Sequence, residues 1–139
     1  MDRNAEILIL DDEPIVGDRL KPALEKCGYV VDTLTDSQAA IDRLAHQRYD
    51  LLITDLKMAG PSGLDVLRFV KEQAPGTGVI VITGYATAEQ ATESLKGGAV
   101  DFIAKPFRIS QLTELVARTL GKERKQGGGS GGPAPPQTV

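Results

Sequence analysis

Five short aliphatic runs alternate with segments of helical spacing, and this alternation constrains the fold more than any other feature of the chain. The runs are EILIL (6–10), YVVDTL (29–34), LLIT (51–54), VIVIT (79–83) and VDFIA (100–104). Three of them are nearly continuous rather than alternating, which is typical of strands covered on both faces. The sequence therefore predicts an α/β fold whose parallel sheet is flanked by helices.

The intervening helices are predicted from apolar residues at helical spacing and from residues typical of helix ends. They are expected from Pro14 to about Cys27, after Asp36 or Ser37, after Ser62, from Thr87 to Gly97-Gly98, and from about Ser110 to Leu120. For five strands and five helices, (βα)5, the common arrangement is the flavodoxin-like strand order 2-1-3-4-5. We also expect Cys27 to be a small core residue and His46 a solvated helix-end residue.

Composition and charge exclude several classes of protein. The chain has 139 residues, 41% hydrophobic and 25% charged, which suits one globular domain. A net charge of −3 disfavours non-specific nucleic-acid binding. The single cysteine excludes an internal disulfide, and no stretch approaches the roughly 20 apolar residues of a membrane span. These features predict a cytoplasmic protein that contacts neither membrane nor nucleic acid directly.

The end of the chain differs in composition from the rest. Residues 122–139 read KERKQGGGSGGPAPPQTV, and glycine, serine and proline cannot build a core. We expect a folded domain over 1–121 and a disordered tail over 122–139. The tail is open to three interpretations: a natural tether, the start of a linker to an output domain, or an engineered segment.

Acidic residues follow the first and third strands. Asp11-Asp12-Glu13 ends strand 1, and Asp55 ends strand 3. In the predicted sheet these strands are neighbours about 4.8 Å apart at the point where strand order reverses, the usual ligand position. Crowded carboxylates call for a hard cation, so Asp11 or Asp12, Asp55 and a carbonyl just past Asp55 predict an Mg²⁺ site. The alternative for the acidic pair is a cluster stabilised by the helix 1 dipole.

Two further strand ends are directed to the same crevice. Thr83 offers a hydroxyl at the end of strand 4, and Lys105 offers an ammonium after strand 5. Pro106 is a candidate for a cis peptide bond. Carboxylates with a metal, a hydroxyl and an ammonium are typical of phosphoryl transfer. Asp55 is the better nucleophile candidate for an aspartyl phosphate, because it stands alone at its strand end.

Four motifs in this order resemble the receiver domains of two-component response regulators, over about residues 5–120. They are LILDDEP (8–14), ITDLKM (53–58), VITGYA (81–86) and DFIAKPF (101–107). The stretch from residue 84 to 107 is most similar to receivers attached to enhancer-binding transcription regulators. The resemblance implies a phosphorylation-activated signalling switch, a regulatory domain rather than an enzyme.

The resemblance also implies roles for individual residues. They are the phosphoacceptor Asp55, the Mg²⁺ ligands Asp11, Asp12, Asp55 and the Lys57 carbonyl, the phosphoryl-contacting Thr83 and Lys105, and the switch aromatic Phe102. The implied phosphodonor is a histidine kinase or a histidine phosphotransfer domain. Phosphorylation is then expected to change the surface of helix 4, strand 5 and helix 5, a surface available to a partner or for homodimerisation.

The chain departs from the family in two places. Met58 is followed by Ala59-Gly60, with proline delayed to Pro61, and Phe102 lacks the hydroxyl of the commoner tyrosine. Lys57 and Tyr85 occupy variable positions near the phosphoryl site, where either side chain could tune the lifetime of the phosphate.

Other functions fit the sequence less well. An Mg²⁺-dependent aspartyl-phosphate phosphohydrolase of the haloacid-dehalogenase type needs a second aspartate two residues after the nucleophile, where this chain has Lys57. A flavodoxin-like cofactor binder needs a phosphate loop after strand 1, where this chain has acids that would repel phosphate. A receiver fold used only as a scaffold would not need the complete set of site residues.

Overall fold

The structure is a computed structural model that describes residues 4–58, 60–84 and 88–124. Strands and helices alternate strictly along these residues. The elements are β1 (Glu6–Leu10), α1 (Pro14–Lys26), β2 (Val30–Leu34), α2 (Ser37–His46), β3 (Leu51–Asp55), α3 (Gly63–Gln73), β4 (Gly78–Thr83), α4 (Ala88–Lys96), β5 (Asp101–Ala104) and α5 (Ile109–Arg124).

The five strands form one parallel sheet in the order β2-β1-β3-β4-β5, so the predicted fold class is confirmed. β1 lies between β2 and β3, with Leu10 paired to Leu34 on one side and Thr54 on the other. The chain therefore reverses its direction of travel across the sheet after β2. The carboxyl ends of β1 and β3 lie side by side at this reversal, where open sheets of this kind bind ligands.

Helices cover both faces of the sheet, and each face has its own core. The first core joins α1 and α5 to the sheet, and the second joins α2 and α3 to the opposite face. All five residues of β3 are buried because neighbouring strands pair with it on both edges and helices cover both of its faces. This double coverage explains why its sequence is a continuous apolar run up to Asp55.

Two of the predicted helix caps are present. Asp36 caps α2, its carboxylate accepting a hydrogen bond from the Ala39 N–H at 2.7 Å. Ser62 caps α3 and forms a reciprocal capping box with Asp65. These caps satisfy backbone N–H groups that a helix start leaves unpaired. The cap predicted at Thr87 lies outside the described residues.

The first helix corrects one prediction. Its buried stripe is Val16, Leu20 and Leu24, spaced by four residues, whereas Ile15 is 55% exposed. Cys27 is exposed rather than part of the core. The chain leaves the helix at Lys26, so Cys27 is the C-cap and no longer follows the helical stripe. His46 is exposed at the end of α2, as expected.

The end of the last helix also differs from the prediction. α5 continues to Arg124, so residues 122–124 belong to the helix and not to the tail. Lysine, glutamate and arginine are good helix formers, and the glycine-rich sequence that breaks a helix begins only at residue 127. The remaining residues of the predicted tail lie outside the described ranges.

A buried tyrosine between α2 and β3, Tyr49, contacts the edge strand β2. Tyr49 is 1% exposed and donates a hydrogen bond of 2.6 Å to Asp32 of β2. Arg43 of α2 donates to the Tyr49 hydroxyl at 3.2 Å. Burial and the Asp32 carboxylate raise the pKa of Tyr49 to about 12, while Arg43 partly opposes this change.

Tyr49 is expected to make stability depend on alkaline pH. Above pH 10, the ordinary pKa of tyrosine, the unfolded chain loses this proton while the folded protein retains it. The stabilisation from Tyr49 is therefore complete below pH 10 and is lost as pH rises toward 12. Urea unfolding of the wild type and Tyr49→Phe gives the free energy of unfolding of each protein. The difference between them should be constant below pH 10, and above pH 10 the wild type should lose stability relative to Tyr49→Phe. Taking the difference between the two free energies cancels the titration of the lysines, which both proteins share. A difference that stays constant through this range would contradict the role assigned to Tyr49.

Candidate functional site

Three aspartates converge where β1 and β3 end. Asp11 follows β1 and is 2% exposed, and Asp55 is the last residue of β3 and is 7% exposed. Asp12 is exposed beside them. One carboxylate oxygen from each lies within 4.8 Å of the others. The structure therefore brings together the acidic residues that the sequence predicted at the carboxyl ends of β1 and β3.

Lys105 lies over this cluster from the loop after β5. Its Nζ is 2.9 Å from Asp11 Oδ2, 3.0 Å from Asp55 Oδ2 and 3.0 Å from Glu13 Oε1. Its side chain is only 15% exposed. Burial lowers the pKa of Lys105, but its hydrogen bonds to the three carboxylates outweigh burial and leave the pKa above the ordinary value. The three carboxylates therefore stabilise the charged form of Lys105.

Burial dominates the electrostatics of Asp11. It raises the pKa of Asp11 above the ordinary value for aspartate, although the Glu13 N–H and the Lys105 ammonium both act in the opposite direction. The Asp55 charge adds to the increase. The raised pKa of Asp11 is thus mainly a consequence of its burial, and the Asp55 charge contributes less.

The backbone around Asp55 is fixed by several contacts. The Lys57 N–H donates to Asp55 Oδ1 at 2.9 Å. The Leu56 N–H donates to the Ile82 carbonyl at 3.3 Å, and the Gly63 N–H donates to the Leu56 carbonyl at 2.9 Å. The start of α3 therefore lies directly against the backbone that carries the carboxylate.

Glycine is required at position 63 because of this close approach. A Cβ there would lie 2.7 Å from Leu56 Cα and 2.9 Å from the Asp55 carbonyl carbon, and closer still to the Asp55 carbonyl oxygen. These neighbours are backbone atoms, which cannot turn aside as a flexible side chain does.

Thr83 and Phe102 lie on the next two strands. Thr83 ends β4 and is 3% exposed, and its carbonyl accepts a hydrogen bond from the Lys105 N–H at 2.8 Å. Phe102 in β5 pairs with Val81 in β4. Its side chain is partly buried against the core on the α2–α3 face. Thr83 is thus joined to Lys105 through the backbone, and Phe102 lies three residues before Lys105 on the same segment.

The remaining predicted residues lie around the aspartates. Lys57 is exposed two residues after Asp55, and the Lys105–Pro106 peptide bond is cis. Tyr85 lies outside the described residues. The sequence reasoning missed Glu13 as a partner of Lys105. Its position directly after two aspartates at a strand end was the available signal, but the pairing depends on side-chain reach.

The donor set fits a hard divalent cation. Asp11, Asp12 and Asp55 carry three negative charges, and Lys105 returns one positive charge. Carboxylate oxygens are the ligands that Mg²⁺ prefers in proteins, and an exposed Asp12 leaves room for the waters that Mg²⁺ retains.

Known proteins are similar to this chain over most of its length. The family model for the response regulator receiver domain matches residues 7–117. The response regulator protein PilR of Pseudomonas aeruginosa is 35% identical over 113 residues, which are 81% of this chain and 25% of PilR. The nitrogen assimilation regulatory protein NtrX of Azorhizobium caulinodans is 35% identical over 117 residues, 83% of this chain and 26% of NtrX.

A solved structure of a receiver domain is also similar to this chain. The CheY-like response regulator receiver domain protein of Methanospirillum hungatei JF-1 has a TM-score of 0.84 and 30% identity, covering 90% of this chain and 100% of that one. The chain spans about a quarter of the length of PilR and NtrX. Among the residues described here, no helix combines the length and apolarity needed to cross a bilayer.

Proposed function

Because this chain belongs to the response regulator receiver domain family, whose members are phosphorylation-activated switches, we propose that Asp55 is its phosphoacceptor. The observation that carries this proposal is the position of the Asp55 carboxylate. Oδ1 is held by the Lys57 N–H and Oδ2 by the Lys105 ammonium, next to two further aspartates. The carboxylate is thus held at the carboxyl end of the central strand, where sheets of this kind bind ligands.

The residues that would hold Mg²⁺ are Asp11, Asp12, Asp55 and the backbone carbonyl of Lys57. When bound, this ion supplies positive charge to the oxygens of the transferring phosphoryl group. The acidic cluster within 4.8 Å supports this assignment.

Phosphorylation forms one bond and breaks another. An Asp55 oxygen bonds to phosphorus while the bond from phosphorus to an imidazole nitrogen of a phosphohistidine breaks, and the imidazole keeps the electron pair. A small donor such as acetyl phosphate releases acetate in the same way. Lys105 stabilises the phosphoryl oxygens, because its ammonium already lies 3.0 Å from Asp55 Oδ2. The donor protein is a histidine kinase or a histidine phosphotransfer domain.

The response to phosphorylation passes through Thr83 and Phe102. The phosphoryl group offers new acceptor oxygens, which draw the Thr83 hydroxyl inward and leave space that Phe102 can occupy. The switch is then a population shift between two packings of the surface formed by α4, β5 and α5. Leu95 of α4 and Val100, the residue before β5, are 43% and 50% exposed. We expect this surface to bind an output domain, a partner or a second copy.

The chain acts as a regulatory domain and not as an enzyme with an external substrate. We expect Lys57, which is exposed two residues after Asp55, and Tyr85, whose role the family resemblance implies, to tune how long the phosphate survives. A cytoplasmic location, without direct binding to nucleic acid, fits a partner of a kinase.

The proposal is tested by amide NMR with Mg²⁺ and beryllium fluoride, which mimics a phosphoryl group on a carboxylate. In the wild type, we expect shifts that spread from Asp55 to Thr83, Phe102 and α4. In Asp55→Asn, these shifts should be absent because the amide cannot form the adduct. Acetyl phosphate should give the same pattern in the wild type.

Two outcomes would contradict the proposal. Equal shifts in both proteins would mean that the ligand binds elsewhere, and no shift in the wild type would mean that Asp55 does not accept the group. Sustained turnover of generic phosphate esters would instead favour an aspartyl-phosphate phosphohydrolase.

A further inference from the structure

Glu13 contacts the site in a way that its position does not require. It is the N-cap of α1, yet its side chain makes no capping hydrogen bond. Serine, threonine, aspartate or asparagine at this position accepts a bond from the first turn of its own helix, whereas Glu13 does not. The Glu13 carboxylate instead reaches Lys105 Nζ at 3.0 Å, and its side chain remains 64% exposed.

Glu13 completes the coordination of the Lys105 ammonium. An ammonium has three protons to donate. Asp11, Asp55 and Glu13 each accept from Nζ at 2.9–3.0 Å, so three carboxylates occupy the three donor positions. Phosphorylation removes the carboxylate charge of Asp55, so one phosphoryl oxygen can take its place on the ammonium. A second phosphoryl oxygen gains a hydrogen bond from Lys105 only if Asp11 or Glu13 is displaced.

Asp11 and Glu13 differ in how easily they can be displaced. Asp11 is buried and would lose an ion pair without gaining full hydration. Glu13 is largely exposed, so water hydrates its carboxylate as soon as Lys105 leaves. Asp11 still holds the ammonium over the crevice when Glu13 is displaced. The contact with Glu13 is thus the one that yields.

We propose that Glu13 is a positioning residue that tethers Lys105 in the unphosphorylated protein and competes with the phosphoryl group for its ammonium. This inference rests on the proposed function of Asp55. The tether opposes activation, so its removal makes Lys105 more available to an anion bound on Asp55. An exposed ion pair of this kind shifts an equilibrium by about threefold to fivefold at most.

The first test is the affinity for beryllium fluoride at saturating Mg²⁺, measured by ¹⁹F NMR. We expect Glu13→Gln to bind about threefold more tightly than the wild type, because a neutral amide holds the ammonium less strongly. Glu13→Ala, which removes the acceptor, should bind at least as tightly as Glu13→Gln. Asp18→Asn removes the same charge from an exposed position on α1 and should bind as the wild type does.

The second test needs neither metal nor phosphoryl analogue. The ¹⁵N-detected ammonium signal of Lys105 should be protected from proton exchange with water in the wild type, and Glu13→Ala should increase that exchange several-fold. Unchanged exchange, or unchanged or weaker beryllium fluoride binding in both Glu13 variants, would overturn the tether. Equally tighter binding of beryllium fluoride by Asp18→Asn would also overturn the tether, because the effect would then come from the overall charge of the protein. If the wild type itself binds no beryllium fluoride, the proposed function fails, whereas the exchange measurement still tests the tether.

Discussion

Lys105→Met is expected to bind Mg²⁺ at least about tenfold more tightly than the wild type, although it should lose phosphoryl-dependent switching. The Lys105 ammonium lies 2.9 Å and 3.0 Å from oxygens of two proposed metal ligands, Asp11 and Asp55. A unit charge about 5 Å from the ion opposes binding by roughly 3 kcal/mol at an effective dielectric constant of about 20, before solvent screening. Removing that charge leaves the ligands available to the metal alone.

The same substitution should destabilise the protein in the absence of metal. Asp11 and Asp55 are both buried, and without Lys105 they lose the ammonium that pairs with them. Removing one partner of a buried ion pair costs about 3 kcal/mol or more. Because Mg²⁺ then replaces the lost cation, its addition should raise the melting temperature of Lys105→Met more than that of the wild type.

Lys105→Arg is the matched control, because it retains the charge. Mg²⁺ titrations followed by amide NMR and by thermal unfolding should group Lys105→Arg with the wild type and separate Lys105→Met from both. Wild-type Mg²⁺ affinity in Lys105→Met would mean that the ion does not bind among these carboxylates.

Gly63→Ala is expected to impair both folding and phosphorylation, although residue 63 has no side chain that could take part in the reaction. The added Cβ would lie 2.7 Å from Leu56 Cα and against the Asp55 carbonyl, so either α3 or the end of β3 must move. Overpacking of this kind costs about 1–3 kcal/mol. The shift also displaces the Asp55 carboxylate from Lys105, so phosphorylation by acetyl phosphate should slow by about tenfold or more, since misplacement by about 1 Å can cost a hundredfold.

Gly76→Ala provides the comparison. A Cβ at Gly76 meets nothing within 4 Å. This substitution should leave phosphorylation unchanged and stability within about 0.5 kcal/mol of the wild type. Chemical denaturation and the phosphorylation rate from acetyl phosphate check both variants. Wild-type values for Gly63→Ala would show that α3 does not support the phosphoacceptor backbone.

Much of the fold was predictable because it depends on patterns with a fixed period. A strand buried on both faces must be apolar throughout, and β3 is read directly from LLIT followed by a carboxylate. The strand order came from the arrangement common to five alternating units, and the pairing of β1 with both β2 and β3 confirms it. Asp11 and Asp55 were then placed together by topology alone.

The parts that the sequence did not predict depend on local geometry. Cys27 has an apolar side chain at a helical spacing from Leu24, but α1 ends one residue earlier and leaves it exposed. Composition placed the start of the tail at residue 122, yet lysine, glutamate and arginine extend α5 to Arg124. The bond from Lys105 to Glu13 spans 92 positions and depends on the reach of two flexible side chains, which spacing does not encode.

The most direct test of the account is chemical identification of the phosphorylated residue. After incubation with Mg²⁺ and acetyl phosphate, borohydride reduces an aspartyl phosphate to homoserine, and peptide mass spectrometry locates the product. We predict homoserine at position 55 of the wild type and none in Asp55→Asn. Homoserine at Asp11 or Asp12, or no product in the wild type, would contradict the central claim that Asp55 is the phosphoacceptor.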